Sequence, residues 1–304
     1  MNQRTIKSLL LTSLAAICIL STVVAQNTEV AQQKKPTEKE LQDRLNQARM
    51  FVRQKSFEQA LADYLFVFDN SRGTSLSAVR LSFVLGDVAR LGTDYPPARK
   101  ALQDRRDEAE KNITAGRSRF EELQEFARLN DYLGESGRNI AMFDKLKSLG
   151  AAYSETRSKM LDLIWEKLVE AKRYDDVGEK VTNLAKQVAT RIAEYKINAD
   201  FPAASGPGGP SHQNYLRNKI IDDGSKAYEV LVSLGRIEPA DKLVNWMLSF
   251  ESNGQMFARL ITQATKAGRH DLAQGLVEKA SRSLKNEEDL QAVREAQKLI
   301  QKTK

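Results

Sequence analysis

GRIEPADKLV at residues 235–244 and GRHDLAQGLV at residues 268–277 share one skeleton: Gly-Arg, a variable residue, an acid, a further residue, Ala, three more, then Val. Ala240 and Ala273 lie 33 residues apart. At that period a repeated supersecondary unit is the first expectation. The template returns upstream in KSFEQALADYLFV (Phe57, Ala60, Tyr64, Val67) and KRYDDVGEKVTNL (Tyr174, Val177, Val181, Leu184). It returns again in TDYPPARKALQDR (Tyr95, Ala98, Leu102) and more loosely in GRNIAMFDKLKSL (Met142, Leu146, Leu149). Ahead of the copies stand further apolar landmarks: Ala48 and Phe51, Trp165 and Leu168, Tyr228 and Leu231, Ile261 and Ala264.

The physical content is a helix hairpin. From Leu41 onward the apolar residues recur at helical spacing and no sustained strand alternation occurs. A small residue such as Ala60, Ala98, Ala240 or Ala273 lets two helix backbones approach where they cross. The bulky residue three positions earlier, Phe57, Tyr95 or Ile237, fills the gap beside it. Gly235 and Gly268 fall where the first helix ends, a place that favours a left-handed backbone. Lys55 and Lys172 hold the same place in two other copies, where the turn carries a cost. A lone hairpin cannot bury its apolar face, so neighbours must stack and share a core.

The pattern resembles the tetratricopeptide repeat, with Ala48, Phe51, Phe57, Ala60 and Tyr64 the fullest match. The likeness runs over about 38–298 in roughly six uneven units. It implies an all-α fold, an α-solenoid of stacked helix-turn-helix hairpins, whose packing residues also include Trp165 and Tyr174. The spacing departs from the family in the 63 residues between Tyr174 and Ile237, which contain FPAASGPGGPSH at 201–212. The expected organisation is therefore a leader at 1–25, a flexible tether at 26–37 and a helical array at 38–199. A Gly/Pro loop at 200–212 and C-terminal hairpins with a closing helix at 213–304 complete it.

The leader reading rests on Arg4 and Lys7, then the apolar SLLLTSLAAICILSTVV, then small residues at Val23 and Ala25. This is the form of a secretory signal peptide cleaved after Ala25. Its apolar part, about 16 residues, is short for a membrane span, and an uncleaved N-terminal anchor is the alternative. Cys18, the sole cysteine, lies within the leader, so an exported mature chain has no disulfide and no thiol chemistry. A periplasmic or secreted location follows. The net charge of +7 falls to +5 once Arg4 and Lys7 are removed.

Nothing in the chain announces a reaction. The zinc-protease, nucleophile-elbow and P-loop motifs are absent. His270 reads as a packing residue and His212 as a loop residue. The prolines of SGPGGP remove the backbone donors that a phosphate cradle needs. Glu121, Glu122, Glu125, Asp222 and Asp223 alternate with bases in the manner of solvated helix faces. No cofactor is expected. The reading is a non-catalytic scaffold for a protein or extended peptide, with an acidic partner favoured by the basic balance. Arg99, Lys100, Arg106 and Trp246 are the candidate contact residues. The absence of basic tracts interleaved with aromatics, together with export, argues against nucleic acid. The alternatives are a self-associating envelope component and a cell-wall enzyme or its helical accessory subunit.

Overall fold

In the computed structural model the described residues are 35–199 and 209–302. The leader with Cys18, most of the tether and most of the Gly/Pro loop lie outside them. The described residues are all-α, with no strand among them. They form α1 (Glu38–Arg53), α2 (Phe57–Asn70), a short α3 (Ser77–Val79), α4 (Leu85–Asp94) and α5 (Pro96–Thr114). There follow α6 (Phe120–Leu133), α7 (Gly137–Ser148), α8 (Ser154–Glu170), α9 (Tyr174–Ala199) and α10 (Gly209–Ser233). The series ends with α11 (Ile237–Phe250), α12 (Gly254–Lys266), α13 (His270–Ser283) and α14 (Glu287–Lys302). No helix among the described residues is long and apolar enough to cross a membrane.

The chain divides into two compact units, one ending at Arg99 and the other beginning at Lys100. This differs from the boundary expected at the Gly/Pro loop. The physical reason is that α9 packs along α10, and one apolar core runs from Ala109 to Ile300. The loop therefore interrupts the chain without interrupting the core.

In the first unit α1 packs on α2, and α2 on α4. Thr37 caps α1 through its hydroxyl, which accepts from the Glu40 amide at 3.2 Å. Leu41, Leu45, Ala48, Ala60, Tyr64, Val67 and Phe68 are buried. The α3–α4 segment contains a π-helical turn at Arg80–Val84. Arg80 is buried there; it lies over the Phe68 ring and donates to the Phe68 carbonyl at 2.6 Å. It so satisfies an acceptor that the end of α2 leaves open.

In the second unit contacts alternate along the chain. Each hairpin pairs its own helices: α6 with α7, α8 with α9, α10 with α11, α12 with α13. The first helix of each hairpin also packs on the next first helix: α6 on α8, α8 on α10, α10 on α12, α12 on α14.

The hairpin turns repeat one chemistry. Lys55, Lys172, Gly235 and Gly268 have φ of 60°, 56°, 68° and 73°. In each turn two amides reach back to helix-end carbonyls. Gly235 and Arg236 donate to Val232 and Leu231, and Gly268 and Arg269 donate to Thr265 and Ala264. Lys172 and Arg173 donate to Val169 and Leu168 in the same register. These are Schellman closures, which need a residue in the left-handed region. Lys172→Gly therefore relieves a β-carbon penalty and stabilises by about 0.5–1 kcal/mol. Thermal melting should show a rise of about 2–3 °C, and a fall would remove strain at Lys172 from the account.

The arginines that follow three of these turn residues, Arg173, Arg236 and Arg269, have a second task, reaching back to the preceding hairpin. Arg173 grips Asp144 of α7 at 2.7 and 2.6 Å. Arg236 donates to the Gly178 carbonyl of α9 at 2.7 Å, and Arg269 to the Val232 carbonyl of α10 at 3.4 Å. At Gly178 a β-carbon would lie 2.7 Å from the Leu234 side chain, so the glycine is what lets that turn sit down. The recurrent pair thus encodes both the turn and its attachment to the preceding hairpin.

The alanines expected to pack are buried: Ala48, Ala60, Ala98 and Ala273 are 0% exposed and Ala240 1%. Tyr64 and Trp165 are buried, while Phe51, Phe57, Tyr95 and Tyr174 are half-buried. The Phe57 and Tyr95 rings lie 6.1 Å apart. In the loosest copy Asn139 takes the aromatic's place and is fully buried. It accepts from Asn130 at 2.8 Å and donates to the Ala127 carbonyl at 3.2 Å.

Candidate partner-binding groove

The sequence-predicted contact residues do not come together. Lys100 is exposed and paired with Asp104 one helical turn on. Arg99 is exposed at the end of the first unit. Arg106, expected to be free for a partner, is instead 4% exposed and held by Asp107 and Glu135. The reason is helical register: Leu102, Arg106, Ala109 and Ile113 advance by four, three and four residues, so Arg106 lies on the apolar seam itself. Trp246 is half-buried against the core.

A larger groove lies elsewhere, an open cleft of about 770 Å3 along the first helices α6, α8 and α10. Ile140, Leu163 and the edge of Trp165 form its apolar part. Trp165 is 8% exposed, and Lys226 of α10 stands over its ring at 5.9 Å.

A charge network links the three helices. Lys226 and Lys219 both reach Glu166 of α8, the latter at 3.6 Å. Lys219 also bonds Asp223 at 2.6 Å, and Asp223 takes Arg191 of α9 at 2.7 Å. Burial works against a charged Lys219, but the Asp223 hydrogen bond and charge, with Glu166 behind them, outweigh it and hold its pKa above the usual lysine value. On the other side Lys167 of α8 pairs with Asp131 of α6. Two lining groups stay open: Arg128 of α6 and Glu170 of α8 are exposed and have no ion-pair partner among the described residues. The lining is thus mixed in sign, with one cation and one anion left to meet a ligand.

Further along α10 lies a buried acid. Glu229 of α10 is 6% exposed and accepts the Tyr174 hydroxyl at 2.9 Å. Burial raises its pKa above the usual value, with Tyr174 and the charges of Lys266, Lys172 and Lys226 acting the other way. Burial, with Glu229 beside it, pushes the Tyr174 hydroxyl up to about 12. A carboxyl whose folded pKa exceeds its unfolded one contributes most below the unfolded value and loses that contribution as pH rises through the folded one. Glu229→Gln keeps an acceptor for Tyr174 and never ionises. It should therefore melt above wild type at pH 7, with the gap closing near pH 4; melting curves at the two values check this.

Of the carboxylates singled out in the sequence, Glu121 is exposed, while Glu125 is 2% exposed rather than on a solvated face. Glu122 caps α6 by accepting the Arg119 amide at 3.1 Å, Asp222 pairs with Arg259, and Asp223 is buried in the network above. His212 is exposed and stacks on Tyr215, while His270 is half-buried at the start of α13. Among the described residues no group of three or more His, Cys, Asp or Glu is placed to hold a metal ion.

The groove residues escaped sequence reading because Glu166, Lys167, Glu170, Lys219 and Lys226 look like any solvated helix face. One signal was available: they fall on the first helices of successive units, which the alternating contacts bring to one side. Comparison of the chain with protein-family models, with curated proteins and with solved structures finds no match.

Proposed function

We propose that this chain is a non-catalytic scaffold, exported by its leader, that holds an extended segment of a partner protein along its first helices. The fold behind this reading is an α-solenoid of hairpins similar to tetratricopeptide repeats, in periplasmic or secreted surroundings. The single observation that carries the binding role is the α6–α8–α10 groove, with Trp165 at its floor and Arg128 and Glu170 open on its lining. Aromatic anchors in partly desolvated pockets dominate the energetics of such contacts. The other charges are already satisfied by neighbours, which rigidifies the surface. The partner segment then carries an acid for Arg128, a base for Glu170 and an apolar side chain between them. The basic balance of the whole chain acts on encounter rate more than on specificity.

The test places a photo-crosslinking residue at position 170 in the groove or at the exposed position 278 of α13, in a cell-envelope extract. One protein captured from position 170, lost on Arg128→Glu and absent from position 278, supports the reading. Capture of the chain's own copies favours a self-associating envelope component. Equal capture from both positions removes the groove from the account.

A further inference from the structure

The first unit contains a different kind of groove, an open cleft of about 420 Å3 between α1, α2 and α4. Three arginines line it. Arg49 and Arg53 stand one turn apart on α1, and Arg90 stands on α4. Facing them is Asp87, 8% exposed, which accepts Arg49 Nε at 3.1 Å and also pairs with Arg90. Asp87 is therefore the post that fixes two guanidinium groups on neighbouring helices. Asp94, the other carboxylate of the lining, is exposed at the end of α4. Three cations against two acids leave an excess of positive charge, and Arg53 has no ion-pair partner among the described residues.

The remaining lining is apolar: half-buried Val52 and Phe57 and buried Leu91. Tyr64 adds a hydroxyl, whose pKa burial and Asp87 push up to about 12 against Arg49 and Arg90, so it stays protonated at neutral pH. Arginine forks match carboxylate geometry with two parallel bonds, and their weak hydration suits a partly enclosed site. A volume of this order takes a small ligand or one terminal residue of a peptide.

We infer that this cleft binds an organic carboxylate that carries an apolar body, the charge going to Arg53 and Arg90 and the body to Val52, Phe57 and Leu91. The same chemistry is presented by a small free acid and by the C-terminus of a peptide ending in a large apolar residue. Inorganic anions lack the apolar half.

The experiment titrates the full chain by calorimetry with 3-phenylpropionate, 3-phenylpropanamide, N-acetyl-Gly-Phe and its C-terminal amide. Saturable binding of the carboxylates but of neither amide is expected, weakened about tenfold or more by Arg53→Gln or Arg90→Gln. Lys39→Gln, which removes an exposed cation outside the cleft, should leave binding as in wild type. Arg53 is exposed, so its variant reports the site without disturbing the fold, and a melting curve verifies this. The free acid binding as well as the dipeptide assigns the site to small acids. Tenfold tighter dipeptide binding assigns it to peptide termini, and either supports the inference. No saturable binding, amides binding equally, or equal weakening by Lys39→Gln overturns it.

Discussion

Ala273→Asp should unfold the last hairpin. Ala273 is 0% exposed on α13, which packs on both α12 and α14. A carboxylate there has neither water nor a cation built to meet it. Placing an unpaired charge in a packed core costs about 3–5 kcal/mol. The helix N-terminus nearby returns at most about 1 kcal/mol of that. Gln274→Asp makes the matched comparison: the same charge one residue further on, at an exposed position, should shift stability by less than about 0.5 kcal/mol. Denaturant melts of the two variants decide the matter. Coincident curves would mean that Ala273 does not sit at a tight crossing, and the alignment of 235–244 with 268–277 would go with it. Hydrogen exchange adds spatial detail. Amides of α13 and α14 should lose protection in Ala273→Asp, whereas the first unit, with its own core, should keep its own.

Much of the local architecture was legible because it depends on single residues with strong backbone or steric meaning. The left-handed turns at Gly235 and Gly268, and their costlier versions at Lys55 and Lys172, follow from where an apolar period stops. The burial of Ala60, Ala98, Ala240 and Ala273 follows from small residues recurring at fixed distance from bulky ones. Side-chain destinations were not legible. Arg106 was read as a residue open to a partner, yet helical phase turns it inward onto Glu135. Arg173, Arg236 and Arg269 recur visibly in the sequence. Their acceptors, the Asp144 carboxylate and the carbonyls of Gly178 and Val232, lie 29 to 58 residues upstream, and two of the three are backbone atoms with no sequence signature. The long interval between Tyr174 and Ile237 misled for a related reason. Gly and Pro marked a break, but α9 and α10 on either side of it run 26 and 25 residues and pack on each other. Both grooves fall in the same class, since each assembles from helices whose juxtaposition only the fold supplies.

Two glycines should respond to the same substitution with opposite signs. Gly254 opens α12 against the first turn of α14, and its amide donates to the Asp289 carboxylate at 2.7 Å. A β-carbon at Gly254 would lie 2.2 Å from the Asp289 carbonyl oxygen and 2.4 Å from its Cα. Both are backbone atoms, so no rotamer change relieves the clash and one helix must move. Gly254→Ala is therefore expected to cost about 3 kcal/mol, the upper end of overpacking effects. Gly275 lies inside α13 with nothing within 4 Å of its would-be β-carbon. Gly275→Ala gains helix propensity without a clash and should stabilise by about 0.5–1 kcal/mol. Melting temperatures on either side of wild type meet this expectation, and exchange at α14 tells what gives way in Gly254→Ala. Loss of protection confined to α14 means that the closing helix has lifted. In that case the faces of α12 and α13 that it covers become exposed, and Val293, Ala296 and Ile300 lose the burial that seated them. Wild-type melting and exchange in Gly254→Ala would show that α14 does not sit against α12 at Asp289.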